Sequence, residues 1–217
     1  MVKLDIISDP ICPWCYIGKT SLDAALSKVP DHPFTIEYHP FQLNPDMPPD
    51  GMDRHEYLET KFGGKDGAIK AYAPVVERAE AEGLAINFSA IQRTPNTLNA
   101  HRLIHWAGIE GHQLFVVHKL FEAYFVEGRD IGNVETLADI ADSAGMDAAL
   151  VTKLLASDAD LDDIRARDVH SRKMGVQSVP TFIVASQHAV PGAQPTQTWD
   201  GVIAEIMTQI AAEDTES

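Results

Sequence analysis

The chain is 217 residues long, 45% hydrophobic and 23% charged, ordinary proportions for one generous domain or for a domain carrying an insertion. A formal net charge of −15 argues against nucleic acid and anionic membrane surfaces as partners. No apolar stretch approaches the roughly 20 residues that span a bilayer, so no membrane association is expected, and two cysteines are too few for a disulfide framework.

Residues 2–7 (Val-Lys-Leu-Asp-Ile-Ile) read as a strand. Asp5 and Asp9 interrupt this apolar start, which argues against a secretory signal and for cytoplasmic residence. Cys12-Pro13-Trp14-Cys15 follows and holds both cysteines of the chain. It heads a helix read over 12–28, with Ile17, Leu22, Ala25, Leu26 and Val29 on one face. Residues 33–39 alternate apolar and polar, a half-buried strand. Strand, helix, strand predicts a right-handed parallel crossover.

A breaker-dense loop spans 44–51. From Asp53 to about Lys173 helical punctuation dominates. Asp53 with Glu56 reads as a capping box, and Gly83 closes a helix over about 66–82. Thr94-Pro95 reads as the cap and first-turn proline of a helix reaching about 110. Gly111 and Gly128 bracket another, Asn133 caps and Gly145 stops the next, and two more fit 147–156 and 160–173. Strand patterning returns at 181–184 and 188–190. A final helix over about 195–212 carries Trp199, Val202, Ile203, Ile206 and Ile210 at core-facing spacing, and the acidic tail 213–217 is expected to fray. The order is therefore β-α-β, an all-helical insertion, then β-β-α. It predicts an α/β fold whose residues 1–44 and 175–217 form one discontinuous domain, with residues 45–174 as the insertion.

A C-x-x-C at a strand-to-helix junction is the pattern of a thiol–disulfide centre. A helix starting near Cys12 presents unpaired N–H groups and the positive dipole end to that sulfur, which favours thiolate over thiol. Cys12 is expected to be the exposed sulfur. Cys15, one turn further in, is expected to be shielded and able to resolve a mixed disulfide. Pro13 suits a first turn, where its missing N–H costs nothing. Two blander readings compete. A purely structural disulfide across so short a loop contributes only about 2 kcal/mol. A zinc site lacks a second cysteine pair and needs histidines such as His101 and His105, spaced i, i+4. Those two are read as a partly solvated helix face, and no metal is expected.

Pro180 is the second signal. It stands directly before the strand-like Thr181-Phe182-Ile183-Val184, where it cannot donate to a ladder. A cis Val179–Pro180 bond fits there, as does an ordinary trans turn. Cys-Pro-Trp-Cys after the first strand, the long helical insertion and Val179-Pro180-Thr181-Phe182 together resemble the DsbA-type branch of the thioredoxin superfamily. Its FrnE-like cytoplasmic members are the more specific match. The segments Asn-Thr-Leu-Asn-Ala-His-Arg-Leu at 96–103 and Val-Pro-Gly-Ala-Gln at 190–194 are also similar to that branch.

The resemblance implies a thioredoxin-like fold with a large all-helical insertion. It implies Cys12 as nucleophile, Cys15 as resolving thiol, and a cis Val179–Pro180 loop beside the sulfurs that meets the substrate, with Pro13 and Trp14 at its side. The branch's periplasmic oxidants carry histidine where Trp14 stands. An uncharged indole cannot stabilise the thiolate electrostatically; it is expected instead to offer an exposed, flat substrate contact. Lys19 and Arg54 could substitute, but nothing in the sequence places either near the sulfur. A weaker oxidant is implied, at about −150 to −240 mV on a scale where strong oxidants lie near roughly −120 mV and thioredoxin near roughly −270 mV. The expected function is an oxidoreductase that exchanges disulfides with protein or low-molecular-weight thiols, acting in the cytoplasm mainly as reductase or isomerase. No cofactor is expected beyond glutathione as a co-substrate, and a homodimer is the oligomer considered. The alternative is a glutathione-dependent isomerase or transferase of the hydroxychromene carboxylate isomerase or kappa type. Those relatives carry serine where Cys12 stands, so the presence of both cysteines favours redox work. A non-catalytic chaperone is the third reading.

Overall fold

The computed structural model describes residues 1–216, the side chains of 213–216 excepted. In chain order the first elements are β1 (Val2–Ser8), α1 (Pro13–Leu26), β2 (Phe34–Pro40) and the two-residue β3 (Met52–Asp53). Then come α2 (Arg54–Phe62), α3 (Lys65–Ala81), the two-residue β4 (Arg93–Thr94), α4 (Leu98–Ile109) and α5 (Gln113–Phe125). The rest are α6 (Val134–Ser143), α7 (Ala148–Leu155), α8 (Leu161–Lys173), β5 (Thr181–Val184), β6 (His188–Pro191) and α9 (Thr196–Glu216).

Four strands make one mixed sheet in the order β2-β1-β5-β6. β2 runs parallel to β1, from Val2 opposite Phe34 to Ser8 opposite Pro40. β5 is antiparallel to β1, with Leu4 opposite Val184 and Ile7 opposite Thr181, and β6 pairs antiparallel with β5. Leu4, Ile6 and Ile7 are all buried, so the central strand is covered on both faces, which is why it reads as an apolar run and not as an alternation. α1 packs against α9. The Trp199 ring of α9 meets Phe182 of β5 edge-on at 4.7 Å.

The helices between β2 and β5 do more than follow the sheet in sequence: α4, α5 and α8 pack against β2. One apolar core is continuous from Leu4 and Phe182 of the sheet to Phe121, Leu137 and Val151 of these helices. Arg102 of α4, fully buried, closes the α7 end. Its guanidinium donates to the carbonyls of Leu154 (2.6 Å), Ala159 (2.7 Å), Ser157 (2.9 Å) and Leu155 (3.2 Å). Orphan helix-end carbonyls are thereby satisfied by a side chain from another helix. The 96–103 segment thus has a structural task at this position.

Local rules placed most elements. The Asp53 carboxylate accepts from the N–H groups of His55 (2.8 Å) and Glu56 (3.0 Å) to cap α2. Asn133 does the same for Glu135 (2.8 Å) and Thr136 (3.2 Å) at α6. Two expectations are corrected, at Thr94 and at the last helix. Thr94 does not cap a helix: it lies opposite Met52 in the short β3–β4 ladder, and α4 begins at Leu98, whose N–H meets Asn96 Oδ1 at 2.9 Å. The break between α2 and α3, the latter close to the helix read over about 66–82, falls at Gly63 (φ 73°) and Gly64 (φ 101°), left-handed conformations that suit glycine. The helix α9 continues through Glu216, beyond the end expected at Ala212 and into the tail expected to fray, while Ser217 lies outside the described residues. No described helix is long and apolar enough to cross a membrane.

Candidate active site

Cys12 is the N-cap residue of α1, in extended conformation (φ −85°, ψ 114°), and Pro13 takes the first helical position. The turn is closed by backbone bonds from Cys15 N (3.0 Å) and Tyr16 N (3.2 Å) to the Cys12 carbonyl. Both cysteines are free thiols. The Val179–Pro180 peptide is cis, and Cys12 Sγ donates to the Val179 carbonyl at 3.5 Å. The proline loop and the cysteine pair therefore meet, although 167 positions separate Cys12 from Val179.

Cys12 is not the exposed sulfur that the motif suggested. It is 3% exposed against 2% for Cys15, with the Val179 carbonyl on its sulfur and α3 packed against α1. Trp14 is also not a free indole. It is half-buried and packs against Ile17, Val75 and Ala79, where α3 crosses α1. The two sulfurs still differ. Burial, then the neighbouring Cys12, push the Cys15 thiol well above its ordinary 9.0, outweighing stabilisation of the thiolate by Ser8 and the Asp9 backbone.

Behind the motif Asp9 is fully buried. Its carboxylate accepts from Leu43 N (2.7 Å) and Ile11 N (3.4 Å), tying the loop before α1 to the end of β2. His101 Nε2 lies 3.7 Å from the same carboxylate. His101 is buried, which corrects the solvated-face reading; His105 is half-buried, with Nδ1 3.0 Å from Arg167. Neither belongs to the cluster of potential metal ligands present among the described residues, Asp5, Glu37 and His39 on the sheet.

Cys12 opens into a cavity of about 310 Å³, walled in part by Trp14, Tyr57, Phe62 and Tyr72, with Arg54 and Lys61 also on its surface. Arg54 donates to the phenol oxygens of Tyr124 (3.2 Å) and Tyr72 (3.3 Å), and stands over the Tyr72 ring at 5.5 Å. Burial raises both phenols above their ordinary value, Arg54 opposing, so they face the guanidinium as neutral dipoles. Of the two cations considered as substitutes for the absent histidine, Arg54 is the one at this cavity; Lys19 is buried and paired with Asp23.

The profile of the DSBA-like thioredoxin domain matches residues 3–204. The chain belongs to that family. This DSBA-like chain is similar to the uncharacterized protein YwbO of Bacillus subtilis, with 26% identity over 94% of this chain and 96% of the other. It is also similar to the probable DsbA oxidoreductase SCO1869 from Streptomyces coelicolor, at 28% identity and a TM-score of 0.81, over 94% of this chain and 89% of that one. The cytosolic disulfide reductase DsbM from Pseudomonas aeruginosa shares the fold, with a TM-score of 0.68 at 18% identity over 97% and 99% of the two chains.

In this DSBA-like chain the structure brings Cys12, Pro13, Trp14, Cys15 and Val179 to one place, with Pro180 next in the chain. Sequence reasoning missed Tyr57, Tyr72 and Tyr124 on the cavity wall and gave Asp9 no role beyond interrupting an apolar run. For Tyr57 the Asp53 cap was a local signal, since it fixes the helix that carries Arg54, Tyr57 and Lys61; Tyr72 and Tyr124 lie on α3 and α5 and had none.

Proposed function

We propose that this chain is a thiol–disulfide oxidoreductase that works through a mixed disulfide on Cys12. The Cys12 thiolate attacks one sulfur of a disulfide R–S–S–R′, so that Cys12–S–S–R forms and R′–S⁻ leaves to take a proton from water. Cys15 then attacks Cys12 Sγ, and its proton passes to the departing R–S⁻. The protein ends as the Cys12–Cys15 disulfide, and the substrate has gained two electrons as two thiols. A low-molecular-weight thiol such as glutathione returns the dithiol by the reverse exchange.

One observation carries this reading: two free thiols a helical turn apart, with the Val179 carbonyl 3.5 Å from the outer sulfur. Residues 45–174 then act as a cap over a catalytic unit of residues 1–44 and 175–217, with Pro13, Trp14, Val179 and Pro180 contacting substrate. Likeness to a cytosolic disulfide reductase supports the reducing direction and cytoplasmic residence. The test is trapping and potential together. Cys15→Ser should accumulate a mixed disulfide that Cys12→Ser cannot form, and equilibration with glutathione buffers should give about −150 to −240 mV. A potential near roughly −120 mV would sink the reductase direction. Glutathione-dependent isomerase turnover that survives Cys12→Ser would establish the isomerase reading instead.

A further inference from the structure

The charge at the Cys12 cavity is the reverse of the charge on the molecule. The chain has 32 acidic residues against 17 basic ones, yet the residues lining this cavity include two cations, Arg54 and Lys61, and no carboxylate. Arg54 is 7% exposed. A buried charge normally has an opposite charge beside it, because neutral dipoles repay only part of the hydration lost. Its guanidinium partners are the two phenol oxygens at 3.2 and 3.3 Å, and among the described residues it has no ion pair. Lys61, exposed at the rim, has among the described residues only neutral hydrogen-bond partners, Tyr57 Oη at 2.7 Å and Asn44 Oδ1 at 2.8 Å. A planar guanidinium beside an apolar chamber is suited to a carboxylate.

We propose that the cavity selects small disulfides and thiols that carry an anionic group on an aromatic body, with Arg54 and Lys61 holding the anion while the reacting sulfur meets Cys12. The volume of about 310 Å³ is at the small end for ligand sites and suits one ring and its substituents. Tyr57, Phe62 and Tyr72 on its wall supply aromatic surface for that ring. The inference rests on the thiol–disulfide reading and names the substrate class for it.

The reduced protein is mixed in stopped flow with bis(carboxynitrophenyl) disulfide and with its uncharged bis(carboxamide). Each rate is divided by that of mercaptoethanol thiolate with the same compound. Normalising removes differences in leaving group, and taking the ratio of the two compounds removes any effect of Arg54 on the Cys12 thiolate itself. The ratio should favour the carboxylate by about tenfold. It should fall towards unity in Arg54→Met, fall partly in the exposed Lys61→Gln, and persist in part in Arg54→Lys. Equal normalised rates in the native protein, or a ratio untouched by both Arg54→Met and Lys61→Gln, would overturn anion selection. If Arg54→Met does not fold, the native ratio and Lys61→Gln still decide. Glutathione disulfide, anionic but with a polar body, should react more slowly than the aromatic carboxylate after the same normalisation; a faster reaction overturns the aromatic part. If neither aromatic disulfide modifies Cys12, the thiol–disulfide reading has failed, not the selectivity.

Discussion

At the scale of single residues, the two sulfurs differ less in exposure than in what surrounds them. Cys12 sits at the mouth of α1 with the Val179 carbonyl and the cavity before it. Cys15 is enclosed, and its thiol is held protonated well above 9.0, chiefly by burial. This raised value has a consequence for stability. The folded state holds the Cys15 proton more tightly than the unfolded chain does, so the contribution is fully present below the ordinary thiol value and is lost as pH rises beyond it. Reduced wild type should therefore lose more denaturant stability than Cys15→Ser between about pH 8 and pH 10. The buried phenols of Tyr38, Tyr72 and Tyr124 are raised too and act in the same direction. They are present in both proteins, so the difference between the two titrations isolates Cys15. Parallel stability–pH curves would show that Cys15 is not held protonated by the fold.

Between elements, the contact that matters most to the site is the approach of α1 to the proline loop at Gly18. A β-carbon there would lie 3.1 Å from Pro180 Cγ and 3.3 Å from both Ala193 Cα and Phe182 Cζ. Gly192 N donates to the Pro180 carbonyl at 2.8 Å. The 190–194 segment thus braces the loop from behind while α1 presses on its side. Replacing Gly18 by alanine sets better helix propensity, roughly 1 kcal/mol, against this crowding; a branched side chain adds more atoms than the gap can take. Gly18→Val should lower unfolding stability by about 1–3 kcal/mol. It should also slow the reaction of Cys12 with disulfides by displacing the proline loop proposed to meet the substrate beside the sulfur. An unchanged unfolding midpoint together with an unchanged rate would show that α1 and the loop do not press on each other in this way.

For the molecule as a whole, redox function and stability are one measurement made in two ways. A strong oxidant is a protein whose reduced form is the more stable. Each 30 mV corresponds to about 1.4 kcal/mol, and each kcal/mol moves the melting temperature of a chain this size by roughly 2–4 °C. Closing the short Cys12–Cys15 loop stabilises the oxidised form by about 2 kcal/mol. The intermediate potential proposed above leaves little difference in stability between the two forms. The two forms should melt within about 5 °C of each other by calorimetry. An oxidised form that melts more than about 10 °C lower would mark a strong oxidant and remove the reductase direction.

What the sequence determined by itself was everything set by neighbours within a turn or two of the chain. The C-x-x-C at the head of α1, the Asp53 and Asn133 caps, the strand at Thr181 and the Trp199 stripe all rest on periodicity, capping or spacing, and those rules do not need the rest of the molecule. Pro180 was legible as an anomaly, but only the resemblance brought it to the sulfurs. Only the tertiary structure decided that Cys12 is covered, that Trp14 packs on Val75, that Thr94 pairs with β3 instead of capping α4, and that His101 lies against Asp9. The Arg54 contact that gives the cavity its charge spans 70 positions, to Tyr124. Which cation faces which chamber depends on how distant helices pack, and no pattern along the chain encodes that, because side chains so far apart in sequence meet only when the shared core has formed.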